Sequence, residues 1–121
     1  ILIEGQSALR NPSGPCGAEF LSSAQAKGVI LQHAPGRELY KTTERPWPMA
    51  DIADDIKIIQ LYGSEVLAVT LNGEGVAEAD REGVRAELEQ RLGLPVFLPL
   101  EQGVCGILPL LRDFVVREVK S

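Results

Sequence analysis

Three short clusters carry residue types that can do chemistry. Glu4-Gly5-Gln6 offers a carboxylate that can ligate a metal or take a proton, beside a glycine that lets backbone or ligand approach closely. The plainer reading of Glu4 is a surface carboxylate capping a turn. His33-Ala34-Pro35-Gly36-Arg37 is the densest cluster. His33 can act as acid, base or ligand near neutral pH, Pro35-Gly36 sets a tight turn, and Arg37 presents a planar fork suited to carboxylate or phosphate. A lone histidine beside a strand also serves as a satisfied structural residue. Asn72, before Gly73, can read a base edge or a substrate amide with donor and acceptor together, or can be an ordinary Asn-Gly turn residue.

Short apolar runs precede these clusters and predict the strands that would position them. Ile1-Leu2-Ile3 reads as a buried strand delivering Glu4, Val29-Ile30-Leu31 leads to His33, and Glu65–Leu71 leads to Asn72. Val96-Phe97-Leu98, between two prolines, leads to Glu101-Gln102-Gly103. Helices are expected between them. Ala18–Ala26 places Phe20, Leu21 and Ala24 on one face and is stopped by Gly28. Ala50–Tyr62 carries Ile52, Ile56 and Ile59 at helical spacing, and Gly63 closes it. Ala77–Leu92 turns Val84, Leu88 and Leu92 inward and ends at Gly93, and a last helix over 106–119 carries Leu110, Leu111, Phe114 and Val115. Asn11 to Pro15 is a turn-rich loop, and Trp47, between Pro46 and Pro48, reads as a plug under a long irregular stretch, with an interaction surface as the alternative. The alternation predicts an α/β fold, a parallel sheet of about four strands with helices on both faces and the clusters at its carboxyl edge.

Composition narrows the classes. The length suits a single domain, 1–121, burying roughly two-thirds of its unfolded surface. The net charge of -5, from 12 basic and 17 acidic residues, argues against nucleic acid as a partner. Much of the acid between Glu74 and Glu89 lies beside Arg81, Arg85 and Arg91, as on a solvated helix face. No apolar run approaches the ~20 residues that span a bilayer, and no signal peptide is visible, so a cytoplasmic protein without membrane partners is expected. Cys16 and Cys105 stand far apart with one histidine in the chain; they suggest small buried hydrophobes rather than a zinc site. A nucleophilic Cys105 within Gly103–Gly106 is the alternative.

Taken together, Ile1–Gln6, His33-x-Pro35-Gly36-Arg37, Leu71-Asn72 and Gly93-Leu94-Pro95-Val96 resemble the D-glutamate N-acetyltransferase (DgcN-like) family, long catalogued as a domain of unknown function. The resemblance covers essentially the whole chain and places it on the later part of that family's carboxyl-terminal P-loop NTPase-like domain. The domain type is also similar to dethiobiotin synthetase, which would set Glu4 at the metal or phosphate position and Asn72 near the base. The resemblance implies a small-molecule substrate, with acetyl-CoA or ATP and Mg²⁺ used by the intact protein. However, no G-x-x-x-x-G-K-[S/T] phosphate loop occurs in these residues. The chain therefore reads as the carboxyl-terminal portion of a larger protein, and none of these ligands is expected on it alone. The leading expectation is part of an N-acyltransferase for a small acidic amino acid, with Glu4 and His33 catalytic and Gly5, Gln6, Pro35, Gly36, Arg37 and Asn72 binding substrate or nucleotide. The alternatives are an ATP-dependent ligase or kinase with Glu4 on Mg²⁺, and a non-catalytic sub-domain serving homo-oligomer contacts.

Overall fold

A computed structural model describes residues 1–5, 7–41 and 44–121. The element order is α1 (Ala18–Ser22), β1 (Gly28–His33), α2 (Ile52–Leu61), β2 (Glu65–Leu71), α3 (Glu78–Leu92), β3 (Val96–Phe97), α4 (Pro99–Gln102) and α5 (Leu108–Lys120). The strands form one sheet in the order β1-β2-β3. β2 and β3 are parallel, with Val69 opposite Val96 and Thr70 opposite Phe97. β1 and β2 run the same way: Glu65 N–H donates to the Lys27 carbonyl where they start, and Asn72 N–H to the His33 carbonyl where they end, each at 2.8 Å. The architecture is thus the α/β parallel sheet expected.

The fold divides into two compact units, one of residues 1–27 and 37–65, the other of residues 28–36 and 66–121. In the first, α2 follows directly from its sequence. Ile52, Ile56 and Ile59 are buried, Asp51 Oδ1 accepts the Ala53 N–H at 2.9 Å as N-cap, and Asp54 and Asp55 complement the dipole in the first turn. Arg10 secures that helix start, donating from Nε to Asp55 at 2.6 Å and from Nη2 to the Asp51 carbonyl at 3.1 Å. Buried Asn11 holds the expected turn, its Oδ1 accepting the Ser13 N–H at 3.0 Å.

The second unit holds the core of the sheet. Val66, Leu67, Ala68 and Val69 are all buried, so both faces of β2 are covered, as a continuous apolar strand requires. Leu67 shares its face with Phe114 of α5, which closes over Gly28: a Cβ there would lie 2.8 Å from the Phe114 ring and 3.1 Å from Leu67 Cδ1. On α3, Leu88 is buried and Val84 and Leu92 half-buried, and Gly93 caps the helix with φ 66°.

Several expectations fail. Ile1-Leu2-Ile3 forms no strand: the residues are 124%, 95% and 44% exposed, and among the described residues the sheet has three strands rather than four. Apolar patterning marks a candidate strand, but only hydrogen bonding into a sheet makes one. α1 stops at Ser22, and Gly28 opens β1 instead of ending a helix, because the Phe114 ring demands its bare Cα. Trp47 is 53% exposed and plugs nothing; its carbonyl accepts the Tyr40 N–H at 3.0 Å beside a single antiparallel bridge, Leu39 to Pro48. Cys105 is exposed and Cys16 half-buried, so neither is a core residue.

Candidate functional site

Parallel strands deliver their carboxyl ends to one edge, and three loops meet there. β1 ends at half-buried His33 and runs on through Ala34-Pro35-Gly36. β2 ends at Leu71 and continues through Asn72-Gly73-Glu74-Gly75-Val76 into α3. β3 continues through Leu98 into α4, a single turn with proline in its first positions.

The first two loops are fastened backbone to backbone. Beyond the bond from Asn72 N–H to the His33 carbonyl at 2.8 Å, Gly36 lies so close to the Glu74 carbonyl and to Gly75 that a Cβ at residue 36 has no room. Gly75 answers with φ +79°, where its own Cβ would stand 3.1 Å from the Gly36 carbonyl. Asn72 holds the second loop from within, its Oδ1 accepting the Glu74 N–H at 3.0 Å. The Asn-Gly turn reading of this residue thus has a geometric basis.

The third loop is tied to the second by charge. Arg81, on the first turns of α3, donates from Nε to the Val76 carbonyl at 3.1 Å and from Nη1 to Glu101 of α4 at 2.6 Å. Gln102 Oε1 accepts the Leu98 N–H at 3.0 Å, closing the turn that carries Glu101. Pro35, Leu71, Val76 and Leu98 border a shallow apolar dimple under Arg81 that has no room for a water molecule.

The expected site residues therefore fall into groups. His33, Pro35, Gly36 and Asn72 come together. Arg37, the next residue in the chain, belongs to the other compact unit, is half-buried and has a buried Nε. Glu4 and Gly5 lie in that unit too, exposed and on irregular backbone, so no strand end delivers Glu4. Gly5 packs near Cys16 and Phe20. Gln6 lies outside the described residues. Among the described residues no three His, Cys, Asp or Glu side chains gather as a metal site.

Sequence reasoning missed Arg81, reading it as part of a solvated face. The available signal was its place one turn into the helix that follows Asn72-Gly73, which sets it at the same sheet edge. Glu101 was read as part of a converging cluster, but its partner was not.

The family model described as a domain of unknown function, DUF1611_C, P-loop domain, matches residues 1–108. The chain belongs to that family. A crystal structure of a DUF1611 family protein from Anabaena variabilis superposes with a TM-score of 0.77 at 18% identity, covering 91% of this chain and 34% of that one. At that identity the likeness speaks to fold alone, and the chain spans about a third of the length of that DUF1611 protein. No curated protein matches. Membership agrees with the resemblance read from the sequence and with the α/β sheet. No helix among the described residues is long and apolar enough to cross a membrane.

Proposed function

We propose that this DUF1611 chain supplies the sheet-edge loops of an N-acyltransferase that acylates a small acidic amino acid from acyl-CoA. The observation that carries the reading is the joining of the His33–Gly36 and Asn72–Val76 loops. It sets a general-base candidate and an amide side chain on two adjacent strand ends, held by backbone contacts that side-chain motion does not disturb.

In this reading the amino group of the substrate loses a proton to His33 and attacks the thioester carbonyl. The new C–N bond forms as the C–S bond breaks, and coenzyme A leaves as the thiolate. Arg37 is assigned the substrate carboxylate through its guanidinium fork, on the resemblance. Asn72 offers Nδ2 to the acyl oxygen or to the amide being made. Glu4, exposed and away from any strand end, is the weaker base of the pair the motifs suggest. The phosphate loop has no counterpart here, so phosphate binding is assigned to none of these residues.

The family's description as a P-loop domain favours one second reading, an ATP-dependent ligase or kinase. Mass spectrometry separates the two: the full-length protein is incubated with D- and L-amino acids plus either acetyl-CoA or ATP and Mg²⁺. An acetylated acidic amino acid supports the first reading. Substrate-dependent release of ADP without acetylation supports the second and overturns the first.

A further inference from the structure

Contacts run unbroken across the carboxyl edge of the sheet, and Arg81 is where they join. Its side chain passes closely over Gly73, where a Cβ would come within 2.5 Å of Nε and 2.9 Å of both Cδ and Cζ. Nε reaches the Val76 carbonyl at 3.1 Å and Nη1 reaches Glu101 at 2.6 Å. One side chain thus touches both ends of the 73–76 loop and the helix turn after β3. The loop it brackets carries two short-range bonds of its own, Glu74 N–H to Asn72 Oδ1 and Val76 N–H to the Gly73 carbonyl, and Asn72 N–H ties its start to the His33 carbonyl of the neighbouring strand. The same loop supplies the carbonyl of Glu74 and the Cα of Gly75 that receive Gly36.

A half-exposed ion pair by itself contributes little, about 0–1 kcal/mol. If Arg81 mattered only as the partner of Glu101, losing either residue would have the same small effect. The contacts with Gly73 and Val76 are different in kind. They need a long side chain with a donor at Nε, which methionine lacks and which the point charge of lysine reproduces only in part.

We infer that Arg81 is the positioning residue of this edge, shaping the loop that carries Asn72 and pressing it onto the loop that carries His33, and that Glu101 holds Arg81 in place. As an inference about the acyl-transfer site it rests on the function proposed above; as a statement about loop geometry it does not.

Residue-resolved amide exchange on the full-length protein tests it. With Arg81→Met the amides of Asn72, Glu74 and Val76 should exchange about tenfold faster or more, while those of Val66–Val69 keep their protection. Glu101→Gln should give a smaller rise at the same amides, and Arg81→Lys an intermediate one. Where acyl transfer is measured, Arg81→Met should lower kcat about tenfold to a hundredfold with little change in KM for the acyl donor. Unchanged exchange at those three amides, equal effects of Arg81→Met and Glu101→Gln, or a uniform rise that includes Val66–Val69 would each overturn the inference. An inactive wild type whose exchange follows the expected order would instead overturn the acyltransferase reading and leave the positioning role standing.

Discussion

Glu89 accepts the backbone N–H of Val96 at 3.0 Å, using the Oε2 that also holds Arg85 Nη1 at 3.1 Å. Arg85 Nη1 donates in turn to the Val96 carbonyl at 3.1 Å. β3 is the last strand of the sheet, and Val69 N–H already takes the Pro95 carbonyl on its inner side. The two side chains of α3 therefore satisfy the backbone groups that an edge strand otherwise leaves open. Glu82 orients Arg85 with bonds of 3.0, 2.9 and 2.7 Å, and the guanidinium beside it holds the Glu82 carboxyl below the usual glutamate range.

This arrangement makes α3 a clasp for a strand of two residues. Arg85→Leu and Glu89→Leu should each destabilise the protein by about 1–3 kcal/mol, the typical cost of leaving a part-buried polar group unmatched. The double variant should cost less than the sum, because the residues share one partner. Urea unfolding checks it. Additive losses, or none, would show that Val96 is held by the sheet alone.

Two glycines offer opposite outcomes from the same substitution. Gly36→Ala drives a methyl into the Glu74 carbonyl and Gly75, backbone that cannot swing aside, so it should cost about 1–3 kcal/mol and loosen the His33 loop. Gly83 is exposed inside α3 with open space at its Cβ position, so Gly83→Ala should gain about 0.5–1 kcal/mol through helix propensity. Thermal unfolding of the two variants side by side checks both signs.

Arg37→Ala in the full-length protein should lower kcat/KM for an acidic substrate by about tenfold or more, as loss of a charge-assisted fork does, with Arg37→Lys recovering part of it. The melting temperature should hardly move. If activity holds and the protein melts several degrees lower, Arg37 is a structural tie for residues 37–65 rather than a substrate ligand.

The elements most legible in the sequence were those with a repeating signal. The isoleucines of α2 and the unbroken apolar run of β2 each named a packing surface, and packing decided the outcome. Gly93, with φ 66°, was legible for a similar reason, since few residues fit such backbone. What failed depended on partners distant in sequence. Ile1–Ile3 has strand composition but no strand to pair with, and nothing local shows that Gly28 must admit the ring of Phe114. α4 was missed because a four-residue turn has no period, although Pro99 was a fair sign of a helix start. Within the candidate site, the meeting of His33 and Asn72 followed from topology. The role of Arg81 did not, because a charged residue on an acidic helix face shows its partner only when α4 is folded beneath it.

The measurement that bears most directly on the proposed chemistry is the rate of coenzyme A thiol release by the full-length protein given acetyl-CoA and the D- or L-forms of glutamate and aspartate. The wild type should release thiol only when an acidic amino acid is present. His33→Gln should slow that release by about 10²–10⁴-fold, as loss of a general base does, with folding unchanged. Thiol release that does not depend on the amino acid, or a His33→Gln variant as fast as wild type, would contradict the assignment of acyl transfer to this sheet edge.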